Sequence, residues 1–169
     1  MMRYVALLRA VNVGGTGKLP MSELASMCTA AGLANVQTYI ASGNVVFDAQ
    51  VTAAKVKSSL EARLHAYLGK PVAVFLRTGA ELSAIVKANP FPKDAPNRTM
   101  AIFLDAPPPK DALAFAVGVR DEEMRLATRE IYVHYCSGMA TSKLKIPAAK
   151  DGTARNMNTV AKLAAMAKG

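Results

Sequence analysis

The spacing of apolar residues changes along the chain, and each change marks an element. Residues 4–9 are an apolar run fit for a buried first strand, ended by the glycine-rich Asn12-Val13-Gly14-Gly15-Thr16-Gly17-Lys18. Pro20 suits the first turn of a helix, on which Leu24, Met27, Cys28 and Ala31 recur at helical spacing until Gly32 stops it. Residues 36–40 and 45–48 then predict a hairpin around Ser42-Gly43-Asn44, since Gly and Asn tolerate positive φ. Val56, Leu60, Leu64 and Tyr67 make a second amphipathic helix closed near Gly69, and residues 72–76 a further strand. The order is βαββαβ, the ferredoxin-like pattern.

A second cycle follows a short helix at 81–88 and the proline-dense 89–96. Residues 100–104 predict a strand and Pro107-Pro108-Pro109 starts a helix reaching about Val117. Residues 124–127 and 131–135 pair as a hairpin, and a helix lies near the C-terminus. The expected fold class is α+β, with two ferredoxin-like halves whose antiparallel sheets are covered by helices. The halves span residues 1–78 and 98–169, joined by a helix and proline-rich connector at 79–97. No residue-level repeat links them, so duplication rests on element order.

Charge changes the picture more than composition does. The 169 residues carry a formal net charge of +9. From Met139 onward Lys143, Lys145, Lys150, Arg155, Lys162 and Lys168 face the single acid Asp151. Such a balance points to an acidic partner such as nucleic acid, a phosphorylated small molecule or an anionic surface, with solubility as the simpler explanation. No apolar run approaches the roughly eighteen residues of a membrane span, and a second charge at Arg9 interrupts any leader core, so no membrane partner and a cytoplasmic location are expected. Cys28 and Cys136 have no Cys or His neighbour at metal-ligand spacing, so neither a disulfide framework nor a metal site is expected, and no cofactor is indicated.

A set of motifs in chain order carries a resemblance. Residues 4–15 (Tyr4-Val5-Ala6-Leu7-Leu8-Arg9-Ala10-Val11-Asn12-Val13-Gly14-Gly15), residues 38–47 around Ala41-Ser42-Gly43-Asn44, Ala88-Asn89-Pro90-Phe91-Pro92, Ile131-Tyr132-Val133-His134-Tyr135, Ser142-Lys143-Leu144 and residues 153–160 resemble the domain of unknown function 1697 family of bacterial proteins. The chain departs from the family pattern at Ala10, where glycine is usual, at Met157, where tryptophan is usual, and at Cys136, often a proline. The resemblance implies an α+β fold with ferredoxin-like halves and no established activity.

The chemistry is read residue by residue. The glycine stretch invites comparison with the phosphate loop G-x-x-x-x-G-K-[ST], but Asn12 replaces its first glycine and Leu19 its hydroxyl residue. A flexible turn or a generic anion cradle remains. Ser42 has no His and Asp in a nucleophile arrangement. His65 is a surface residue, His134 shares a strand face with Tyr132 and Cys136, and Cys28 belongs to the core. In Arg155-Asn156-Met157-Asn158-Thr159, residues poor in helix interiors concentrate as they do at a helix N-terminus. On a helix, Arg155, Asn158, Thr159 and Lys162 would share one face. The anion-binding candidates are therefore Arg9, Asn12, Lys18, Ser42, Asn44, Ser142, Lys143, Arg155, Asn156, Asn158 and Thr159, expected to meet in one basic polar site between the halves.

Three functions follow from this reading. The first is a phosphate- or nucleic-acid-binding protein. The second is an enzyme acting on a small phosphorylated or carboxylated metabolite, with Arg9, Lys18, Lys143 and Arg155 as anion holders and no assignable general base. The third is a protein-interaction module. With only 6% aromatic residues and no tryptophan, stacking of RNA bases on the sheet is not indicated.

Overall fold

The structure is a computed structural model that describes residues 1–14 and 17–168. Its elements are β1 (Met2–Leu8), α1 (Met21–Ala30), β2 (Ala34–Thr38), β3 (Asn44–Ala49), α2 (Ala53–Leu68), β4 (Val74–Thr78) and α3 (Gly79–Lys87), then β5 (Thr99–Phe103), β6 (Glu123–Leu126), β7 (Glu130–His134), β8 (Thr153–Asn156) and α4 (Met157–Ala167). Two four-stranded antiparallel sheets result, ordered β2-β3-β1-β4 and β6-β7-β5-β8. The fold is α+β with two ferredoxin-like sheets, as the element order predicts. The chain divides into two compact units, Met1–Ser83 together with the C-terminal residues from Leu163, and Ala84–Lys162.

In the first unit the helical spacing has a direct cause. Leu24, Met27 and Cys28 on α1 and Val56, Leu60 and Leu64 on α2 lie three or four residues apart, hence on one face of each helix. They pack on the sheet face formed by Tyr4, Ala6, Leu8, Val45, Phe47 and Ala49. Truncating any of the three buried leucines to alanine removes contacts worth about 2–5 kcal/mol. Thr52 starts α2 by accepting a hydrogen bond from the Lys55 amide at 3.3 Å, and the Gly69 N–H closes it on the His65 carbonyl at 2.8 Å. The strand expected to reach Ile40 stops at Thr38, because Ile40 takes φ 50°, a left-handed geometry that ends extended pairing.

The second half departs from expectation in two places. The helix expected from Pro107 is reduced to one 3₁₀ turn, Ala112–Phe115. Pro108 and Pro109 each disfavour the helical conformation in the residue before them, and Gly118 follows too soon for a helix to form beyond them. The second cycle also closes on a strand that its expected order lacked, β8, which pairs with β5 from Met100↔Asn156 to Phe103↔Thr153. Its buried positions are Thr153 and Arg155, so a polar alternation hid a half-buried strand.

Register brings out a correspondence between the halves that the residues conceal. Val5 pairs with Arg77 and Val46 as Ala101 pairs with Arg155 and Tyr132. Both arginines are buried and donate through Nη1 to the carbonyl of the preceding residue, Leu76 or Ala154. The next residue caps a helix in both halves. Thr78 Oγ1 accepts from the Glu81 amide at 3.1 Å, and Asn156 Oδ1 from the Thr159 amide at 2.9 Å. Likewise the pair Arg3↔Asp48 corresponds to Thr99↔His134, an ion pair at 2.9 Å in one sheet and an Oγ1···Nδ1 hydrogen bond at 2.9 Å in the other.

The Arg3–Asp48 pair sets an acid limit. Donation from Arg3, and then from Asn35, holds the Asp48 carboxyl down to about 2. A depressed carboxyl adds stability that is fully present above its unfolded value near 4 and is lost as the pH falls from about 4 through 2. Asp48→Asn is therefore expected to lower the melting temperature at pH 6 by a few degrees, and to show a smaller further fall between pH 4 and pH 2 than the parent protein. Parallel melts across that range check it.

Just beyond β1, Ala10 lies at φ 56° and is exposed. Glycine reaches that conformation without the Cβ strain that alanine incurs. Ala10→Gly is expected to stabilise the protein by up to about 1 kcal/mol, a gain measurable by urea unfolding.

Candidate functional site

In the first unit the glycine stretch and the Ser42–Asn44 turn do come together, and one side chain joins them. Asn12, at φ 57°, donates through Nδ2 to the carbonyls of Leu19 and Ala41, both at 2.8 Å, and its Oδ1 accepts from the Leu19 amide at 2.7 Å. The asparagine thus closes the loop after β1 and ties it to the hairpin. Asn44 is fully buried and donates to the Tyr39 carbonyl at 2.9 Å and to Ser42 Oγ at 2.8 Å. Gly43 brings the turn against β1, where a Cβ would stand 2.7 Å from Val11 Cγ2 and 2.9 Å from Leu8 Cβ. These polar groups build the turn itself, a structural use of residues also read as anion ligands.

Beside this junction lies a cleft of about 480 Å³ lined by Asn12, Gly14, Gly17, Lys18, Pro20 and Met21, among others. Gly15 and Thr16, part of the phosphate-loop comparison, lie outside the described residues. Helix α1 starts at Met21 with Pro20 as its N-cap and no side chain capping its first amides. Proline cannot supply a capping oxygen, so the first-turn N–H groups keep the partial positive charge of a helix start. Lys18 is exposed on the same cleft, and Glu23 is the one acid in the first turn. Arg9 is half-buried beside the junction, with its backbone N–H bonded to the Ala73 carbonyl at 3.0 Å.

In the second unit Ser142 and Lys143 line a smaller cleft of about 300 Å³ with Arg120, Asp121, Glu122 and Ser137. Ser142 donates to the Glu122 carboxylate and accepts from the Leu144 amide at 3.2 Å, while Ser137 donates to Asp121. Donation from Ser142, and then from the Arg120 backbone, holds the Glu122 carboxyl below its ordinary range. Two carboxylates therefore share the surroundings of Ser142 and Lys143, and an anion there would meet both. The acidic run Asp121-Glu122-Glu123 was the signal for this cluster, and charge counting from Met139 onward did not include it.

The segment from Arg155 to Thr159 holds a helix N-terminus, as its residue types predict, but not the shared helical face. Arg155 belongs to β8, so the helical count begins at Met157. Its side chain is buried and donates to Thr153 Oγ1 at 2.8 Å and to the Ala154 carbonyl at 2.9 Å. Burial brings the guanidinium down to about 10, still charged at neutral pH. Thr159 is buried and Asn156 serves as the cap, while Asn158 and Lys162 are exposed. Arg155 is thus a fold-holding cation rather than a surface anchor. Met157 is buried, as befits a flexible apolar side chain filling a core position.

The remaining reactive side chains are accounted for locally. Burial pushes the Cys28 thiol up to about 12, and Cys136 is exposed with its thiol raised by desolvation and then by Glu123, Asp121 and Asp94. His134 is buried against Phe91, while His65 is exposed. Among the described residues no group of three His, Cys, Asp or Glu side chains is placed to hold a metal, and no helix is long and apolar enough to cross a membrane.

Comparison with known proteins agrees with this fold. A family model described as protein of unknown function, DUF1697, matches residues 1–132. A solved structure described as the conserved bacterial protein SP0830 from Streptococcus pneumoniae is similar over 100% of this chain and 99% of its own, with a TM-score of 0.83 and 26% sequence identity. No curated protein matches.

Proposed function

The chain belongs to the DUF1697 family, proteins of unknown function, and we propose that this member binds a phosphate-bearing ligand at the glycine-loop cleft of its first unit. The observation that carries the reading is the uncapped N-terminus of α1 opening on a cleft that also presents Lys18. The Glu23 amide is bonded to the Pro20 carbonyl, which leaves the Met21 and Ser22 amides, with the helix dipole, to favour an anion, while the glycines let backbone approach its oxygens and the lysine adds charge. Glu23 in the first turn opposes this in part, and the overall charge of +9 offsets it at longer range. The Asn12 clamp supports the reading by holding Asn12 and Leu19, on either side of Lys18, in fixed positions beside the cleft.

The ligand's size is read from salt dependence. A small phosphorylated molecule gives a shallow slope of log affinity against log salt, and nucleic acid a slope near −0.9 for each phosphate neutralised. Lys18→Glu tests the site. The substitution is exposed and expected to change unfolding free energy by less than about 0.5 kcal/mol. It is also expected to weaken phosphate binding about tenfold or more, measured by calorimetric titration with inorganic phosphate and with a nucleoside monophosphate. Equal affinity in the variant and the parent would remove the cleft from consideration.

A further inference from the structure

The register correspondence between the two sheets shows how differently their inner faces are covered. Ala6 and Ala49 in the first sheet correspond to Ile102 and Tyr135 in the second. In the first unit this face is sealed by the leucines of α1 and α2, and both alanines are buried. In the second unit the cover is the 3₁₀ turns Ala112–Phe115 and Pro147–Ala149 with the antiparallel bridge that joins Val117 to Lys145. Pro147, Ala148 and Ala149 are too short to fill the space that Val56, Leu60 and Leu64 fill in the first unit. A cavity of about 480 Å³ is left between Ile102, Tyr135, Val117 and Leu144, and the exposed Lys145 and Lys150 also line it.

We propose that this cavity binds a small molecule with an apolar body and one anionic head. The body lies against the aliphatic wall and the head meets the two lysines. The volume falls within the roughly 300–1,000 Å³ of small-molecule sites. The wall offers water few of the two to four hydrogen-bonding partners that would hold it in place, so an apolar body is the better occupant. No acidic side chain lines the cavity, and both charged side chains that do are cations, which sets the sign of the head. This site lies wholly within the second unit and is independent of the glycine-loop cleft.

Calorimetric titration of the full chain with decanoate, decyl phosphate, decanol and decyltrimethylammonium, all below their micelle concentrations, tests the proposal. Saturable one-to-one binding of decanoate or decyl phosphate is expected, at least tenfold tighter than decanol, with none of the cation. The stronger of the two anions identifies the head. Lys145→Glu with Lys150→Glu is expected to weaken the anion at least tenfold without changing the melting temperature. Leu144→Trp, which fills the cavity and gives a tryptophan-free protein its own fluorescence reporter, is expected to abolish binding. Ala149→Leu tests the same filling with a smaller change should the tryptophan variant not fold. Binding that is absent, equal for decanol and decanoate, or unchanged in the filled variants would overturn the proposal.

Discussion

Gly118→Ala is expected to lower the melting temperature by about 6–12 °C, equivalent to roughly 3 kcal/mol in a chain of this size. Gly118 has φ +72°, and a Cβ there would stand 2.1 Å from the Lys143 carbonyl oxygen and 2.7 Å from its carbon. Neither atom can yield easily, because the adjacent Val117 and Lys145 are locked to each other by two backbone hydrogen bonds of 2.9 Å. Gly138→Ala supplies the control. Its φ is +87° with nothing within 4 Å of the added carbon, so it carries only the conformational penalty of about 1 kcal/mol. Thermal melts of both variants separate close approach from backbone strain, and equal losses would place the Gly118 contact elsewhere.

Arg155→Glu is expected to destabilise the protein by about 3 kcal/mol or more, read from the urea midpoint. A carboxylate would be placed where a buried guanidinium donates to Thr153 Oγ1 and the Ala154 carbonyl, leaving both acceptors facing a charge that cannot donate to them. Lys143→Glu, at an exposed side chain, is expected to change stability by less than about 0.5 kcal/mol. The contrast distinguishes a cation that holds the fold from one displayed on the surface. If Arg155→Glu were as harmless as Lys143→Glu, the burial of Arg155 would be wrong.

How much of this was legible depends on the chemistry of each segment. The first unit reads cleanly because its helices carry leucines at helical spacing and its central strands carry the apolar runs Tyr4 to Leu8 and Val45 to Phe47, so period and burial agree. In the second unit a buried arginine stands at an inward position of β8, and three prolines stand where a covering helix would start. Local pattern and tertiary burial disagree there, which hid one strand and invented one helix. The correspondence of Arg77 with Arg155 follows from pairing register, a long-range property that a residue-by-residue search for repeats does not see.

The candidate site was legible in the same uneven way. Asn12, Ser42 and Asn44 stood out as residues unsuited to strand interiors, and they do gather in the first unit. Most of their partners are backbone groups, one of them twenty-nine residues away, so sequence could not tell ligand-holding from turn-holding. The uncapped start of α1 was implicit in Pro20, whereas the carboxylates around Ser142 depended on a contact across twenty residues.

The most direct test of the phosphate-site account is an amide chemical-shift titration with inorganic phosphate at low ionic strength. Saturable shifts concentrated at Gly17, Lys18, Met21 and Ser22, and lost in Lys18→Glu, are the predicted result. Shifts that stay linear, or that spread over the basic C-terminal segment while those four amides remain still, would contradict it.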